Sequence, residues 1–196
     1  MALQHTEKVV GMVQLMREYL EAEQPAPRAF STALEPTLRS VIEELSSIAS
    51  VRAVGVLLTG RATATLPLPE SQLRRALQYL IAALIEAQPA GGKVTLLLGE
   101  GPAGVALRAE GEQKTLTSQT NRSSAEATLR GVRLAIANRV LENAGASLLF
   151  GGGIDLCSTD LSSTDLSSIG LTALDHAGID HAGIDPGGFV LRIPRA

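Results

Sequence analysis

His5, His176, His181, Cys157 and a row of evenly spaced aspartates are the side chains of this 196-residue chain with the most chemistry to offer. His176 and His181 stand five residues apart in "DHAGIDHAGID". Two imidazoles can ligate a metal, but here the second copies the first within a duplicated segment, and no metal site is expected. Cys157 stands beside "STD", with no His, Lys or second Cys close in sequence to activate it. It reads as a plain thiol. A lone cysteine forms no internal disulfide, and it suits a reducing compartment, the cytoplasm. His5 opens "HTEKVVGM" and reads as a solvated imidazole at a helix end.

Asp155, Asp160, Asp165, Asp175, Asp180 and Asp185 recur with a period of five, and Gly170 takes the missing place. "STDLSSTDLSS" is a near-duplication of the same kind. A fixed period suggests a repeat architecture. The pattern resembles the pentapeptide-repeat family, in which a Leu follows an Asp or Asn. His176 and His181 stand where that family places an inward Leu. Residues 151–185 therefore read either as an expanded hairpin loop or as a short coil or β-extension.

The remaining residues form the elements that must position any site. Aromatics make up 3% of the chain and Trp is absent, so the core has to be built from Leu, Val, Ile and Ala. A net charge of −3 without any block of Lys or Arg argues against nucleic acid as a partner. No signal peptide is evident in "MALQHTEKVV", and no apolar run reaches about 18 residues, so no membrane insertion is expected. Residues 2–22 read as a helix whose stripe Val9, Met12, Met16 and Tyr19 is widened by Val13 and Leu20. "EQPAPRAF" (23–30) is a Pro-broken linker. Such a helix has little domain to pack on, so the stripe is expected to be a partner surface, pairing two copies of the chain.

A second helix is expected from Thr32 or Pro36 to Ile48. Thr32 with Glu35 has capping-box spacing, and Pro36 suits a first helical position. Strands are expected at 53–58, 93–98, 104–109, 146–150 and 188–193, the second and third as a hairpin. Helices are expected at 70–88 and 128–144, the latter ended by Gly145. In the helix 70–88, Leu73, Leu77, Leu80, Ile81, Leu84 and Ile85 face inward. Residues 110–127 read as a polar loop. Helices alternating with an antiparallel hairpin suggest an α+β fold, a two-layer α/β sandwich, behind an N-terminal helical segment. The domain division expected is 1–30 and 31–196.

Four stretches resemble sensor histidine kinases in order and spacing. "LRRALQYLIAALIEAQPAGGKVTLLL" is similar to their L-x-x-x-L-x-N-L-x-x-N-A-x-E-A helix, Gly-Gly turn and strand. "LRGVRLAIANRVLENAGASLLF" is similar to their later G-L-G-L-A-I helix and strand, and "PGGFVLRIPRA" to their closing strand. "MVQLMREYLEAEQPAPRAFSTALEPTLRSVIEEL" resembles the end of their dimerisation hairpin and the linker into the ATPase domain. The resemblance implies the GHKL, or Bergerat-type, ATPase fold and a place in bacterial two-component signal transduction.

The family's functional residues are replaced. Its magnesium-binding Asn falls on Ala83, and an earlier Asn of that helix on Tyr79. Its adenine-binding Asp-x-Gly falls on Gly111-Glu112-Gln113. The phosphate-cradling Gly-Leu-Gly-Leu becomes Gly131-Val132-Arg133-Leu134. Mg²⁺ needs oxygen ligands, and phosphate needs close backbone amides, which Arg133 crowds. The resemblance thus implies a histidine-kinase-like interaction or scaffold protein without catalytic residues, cofactor or metal. Its expected partners are a second copy and a response regulator or sensor kinase. The alternative is an enzyme, either a divergent kinase that binds ATP and Mg²⁺ or a phosphotransferase with His5 as phosphoacceptor.

Overall fold

The computed structural model describes residues 2–23, 30–111, 124–150 and 188–194, with side chains from Val10 onward in the first helix and from Leu129 onward in the last. The period-five segment, with Cys157, His176 and His181, lies outside the described residues, as do Gln113 and the side chains of His5 and Val9.

Apolar side chains at helical spacing bury one stripe of α3 (Glu70–Ala87). Leu73, Leu77, Leu80, Ile81, Leu84 and Ile85 are all buried, as the spacing predicts. Beside α3 lie α2 (Leu34–Val51) and α4 (Ser124–Asn143). Leu34, Leu38, Val41 and Leu45 of α2 enter the same core, with Leu134, Ile136, Ala137, Val140 and Leu141 of α4. Across α2 and α3, Arg74 binds Glu44 and, at 2.7 Å, Glu70 of its own helix.

The second layer is a five-stranded sheet built from β2 (Gly55–Gly60), β4 (Lys93–Gly101), β5 (Gly104–Gly111), β6 (Ser147–Phe150) and β7 (Gly188–Pro194), in the order β2-β4-β5-β7-β6. β2 pairs parallel with β4, and every other pair is antiparallel. Period-two alternation buries Val94, Leu96 and Leu98 on β4, Val105, Leu107 and Ala109 on β5, and Phe189, Leu191 and Ile193 on β7. Gly60 has φ +83°, and a Cβ there would lie 1.9 Å from the Leu98 carbonyl oxygen, so this strand end requires glycine. The α+β sandwich read from the sequence is the observed architecture.

Several expectations are corrected. Thr32 does not cap a helix. It lies in β1 (Thr32–Ala33), which pairs with β3 (Thr65–Leu66), and its hydroxyl donates to the Leu68 carbonyl at 2.5 Å. Two-residue strands are too short to show a period. Glu35 instead accepts from Arg39 at 2.8 Å and from the Ala62 N–H at 3.2 Å. Of the loop read at 110–127, residues 110–111 belong to β5 and residues 124–127 to α4, and residues 112–123 lie outside the described residues. Gly145, at φ +79°, ends α4 as expected: its N–H donates to Glu142 and that of Ala146 to Leu141.

The largest correction concerns α1 (Ala2–Glu23), which does have an intramolecular partner. It packs on α4, with Leu15 and Ala22 in the main core cluster. The inward face is Leu15, Glu18 and Ala22, not the stripe the sequence singled out. Met12, Met16 and Tyr19 are 52%, 64% and 41% exposed, beside exposed Val13 and Leu20.

Candidate functional site

Helix spacing brings Arg75 and Tyr79, four residues apart, onto the face of α3 that looks toward α1. Glu18 of α1 enters between them. It is 9% exposed, accepts a hydrogen bond from the Tyr79 hydroxyl and lies 3.4 Å from the Arg75 guanidinium. From α4, the Arg133 guanidinium stands 5.8 Å from the centre of the Tyr79 ring, a cation–π arrangement. Burial, reinforced by the hydrogen bond and charge of Glu18, pushes the Tyr79 phenol up to about 12. Asn143 Nδ2 donates to the Ala22 carbonyl at 2.6 Å and fastens the end of α1 to the end of α4. Next to the cluster lies a cavity of about 160 Å³, lined by Glu18, Glu21, Gln72, Arg75, Ile136 and Val140, among others.

Sequence reasoning placed Tyr79 and Arg133 in one pocket, and the structure brings them together. It missed Glu18 and Arg75, which read as ordinary charges on helix surfaces. The only signal for Glu18 is its spacing, three residues after Leu15 and four before Ala22, on one helical face.

Solved histidine kinases share this architecture. The chain is similar to the Acinetobacter baumannii histidine kinase AdeS, at 15% identity and a TM-score of 0.55 over 76% of this chain and 74% of that one. It is similar to the catalytic domain of histidine kinase ThkA, at 12% identity and a TM-score of 0.52 over 84% and 94%. It is also similar to the cytoplasmic segment of histidine kinase QseC, at 15% identity and a TM-score of 0.52 over 97% and 91%. The fold is that of a histidine-kinase ATPase domain. No family model and no curated protein matches the sequence. Among the described residues, no helix is long and apolar enough to cross a membrane.

On this histidine-kinase-like fold, the positions that the resemblance assigns to nucleotide can be tested for fit. Ala83 is half-buried on α3, packed against the core, and offers a methyl where Mg²⁺ needs oxygen. At Gly111 a Cβ would lie 2.0 Å from Gln88 Nε2, so an acidic side chain there has to displace the Gln88 amide. Gln88 Oε1 is buried without a hydrogen-bond partner among the described residues. Gly131 lies seven residues after Ser124, inside α4. The amides of 131–133 therefore donate to carbonyls four residues back instead of opening a helix toward phosphate. The residues at the positions that the resemblance assigns to Mg²⁺ and ATP do not fit that group.

Proposed function

We propose that this chain is a non-catalytic, histidine-kinase-like protein of signal transduction that acts by contact. Its nucleotide positions have been given over to packing. The observation that carries this reading is that Tyr79 lies under the Arg133 guanidinium while its hydroxyl binds Glu18 of α1. In this reading the sequence stripe of Val9, Met12, Met16 and Tyr19, of which Met12, Met16 and Tyr19 are exposed, pairs two copies of the chain in the cytoplasm. The wider partner is a response regulator or a sensor kinase. Exposed apolar groups at helical spacing support the pairing, because single apolar residues scatter on monomer surfaces whereas stripes mark interfaces. Titration with ATP and Mg²⁺ tests the lost pocket, and light scattering tests the pairing.

A further inference from the structure

Among the described side chains of α1, few groups hold it to its own domain, and the polar ones are prominent. Among its described side chains only Leu15, Glu18 and Ala22 are buried. Two of the ties are polar: Glu18 to Tyr79 and Arg75, and the Ala22 carbonyl to Asn143. A groove of about 160 Å³, open to solvent, runs along this seam. The sequence that follows, residues 24–29, holds Pro25 and Pro27, which cannot continue a helix. Over the described side chains the seam combines a polar clasp with the apolar contacts of Leu15 and Ala22.

We infer that the α3–α4 face is a docking groove for a helix carrying Leu-x-x-Glu-x-x-x-Ala, with α1 as its tethered and exchangeable occupant. The groove reads the carboxylate. The Tyr79 hydroxyl donates to it, Arg75 supplies charge, and Arg133 lies over the ring. Ile136 and Val140 give the apolar wall beside it. A helix without the acid leaves the Tyr79 hydroxyl and Arg75 without that partner, which is more expensive than a neutral exchange. When α1 lifts, the Tyr79 hydroxyl and Arg75 lose Glu18, so α1 controls access to this face. The inference stands whether or not nucleotide binds.

The test uses the full chain and a fluorescent peptide of residues 2–23, read by polarisation. The peptide binds the Glu18→Arg chain about tenfold or more tightly than the wild-type chain, whose own helix fills the groove. A peptide carrying Glu18→Arg does not gain. In the chain with Glu18→Arg and Arg75→Glu together, the reversed pair redocks α1 and the wild-type peptide is excluded again. Pairing through the outward stripe ignores residue 18, so equal affinity of the two peptides for the Glu18→Arg chain overturns the inference. Equal binding of the wild-type peptide to the wild-type and Glu18→Arg chains overturns it too. If charge reversal unfolds the chain, Glu18→Gln decides: a gain of about threefold over wild type supports the groove, and no gain overturns it.

Discussion

Tyr79 stands where the histidine-kinase resemblance has an asparagine, and its ring and hydroxyl are both occupied by protein. Its raised pKa makes a sign-definite prediction. In the unfolded chain the phenol loses its proton near 10, and in the folded chain near 12. Between these values the folded state binds more protons than the unfolded one, so stability is full below about pH 10 and falls as pH rises toward 12. Denaturant melts at pH 9, 10.5 and 11.5 show this fall, and Tyr79→Phe flattens it. An unchanged slope in the variant contradicts the assignment. Two residues along α3, Ile81 is fully buried. Ile81→Ala costs about 2–5 kcal/mol through the cavity it leaves, read as a lower melting midpoint.

At the scale of elements, α1 separates what the sequence discloses from what it hides. Apolar periodicity selected the stripe containing Met12, Met16 and Tyr19, and that face is exposed. The face that docks is centred on a charged residue, Glu18, which no hydrophobic pattern marks. α3 was legible because its buried stripe is entirely aliphatic and regular. The start of α4 was not, because polar residues hid its first turn, and the two-residue strands β1 and β3 were too short to carry a period. The motifs that Tyr79 and Arg133 replace singled them out, and the two side chains meet, whereas Gln88 carried no motif. Under the pairing proposal, Met12→Glu with Met16→Glu puts charges into the outward stripe and converts a dimer to a monomer by light scattering. A wild-type chain that is already monomeric at high micromolar concentration contradicts the pairing. β6 and β7 are antiparallel neighbours, and residues 151–187 connect them. Replacing 152–186 by a Gly-rich turn is expected to change stability by about 1 kcal/mol or less, since closure entropy grows only logarithmically with length. A collapse of the melting temperature shows instead that the repeat supports the sheet.

For the whole molecule, the fold and the proposed activity point in different directions. The layered sheet and helices are those of histidine-kinase ATPase domains, while the positions that the resemblance assigns to metal, adenine and phosphate hold Ala83, Gly111 and Arg133. Losing a charged or bidentate contact costs about 1.5–3 kcal/mol, so two such losses weaken binding by roughly 10²–10⁴-fold. Arg133 can return part of this by pairing with a phosphate, but it replaces neither the metal ligand nor the adenine acceptor. The most direct test is calorimetric titration of the full chain with ATP and with ADP, each with and without Mg²⁺, alongside radiolabelled phosphate transfer. The account predicts no saturable heat at millimolar nucleotide and no label on the protein. Micromolar binding, strengthened by Mg²⁺, contradicts it, and label on His5 makes the chain an enzyme.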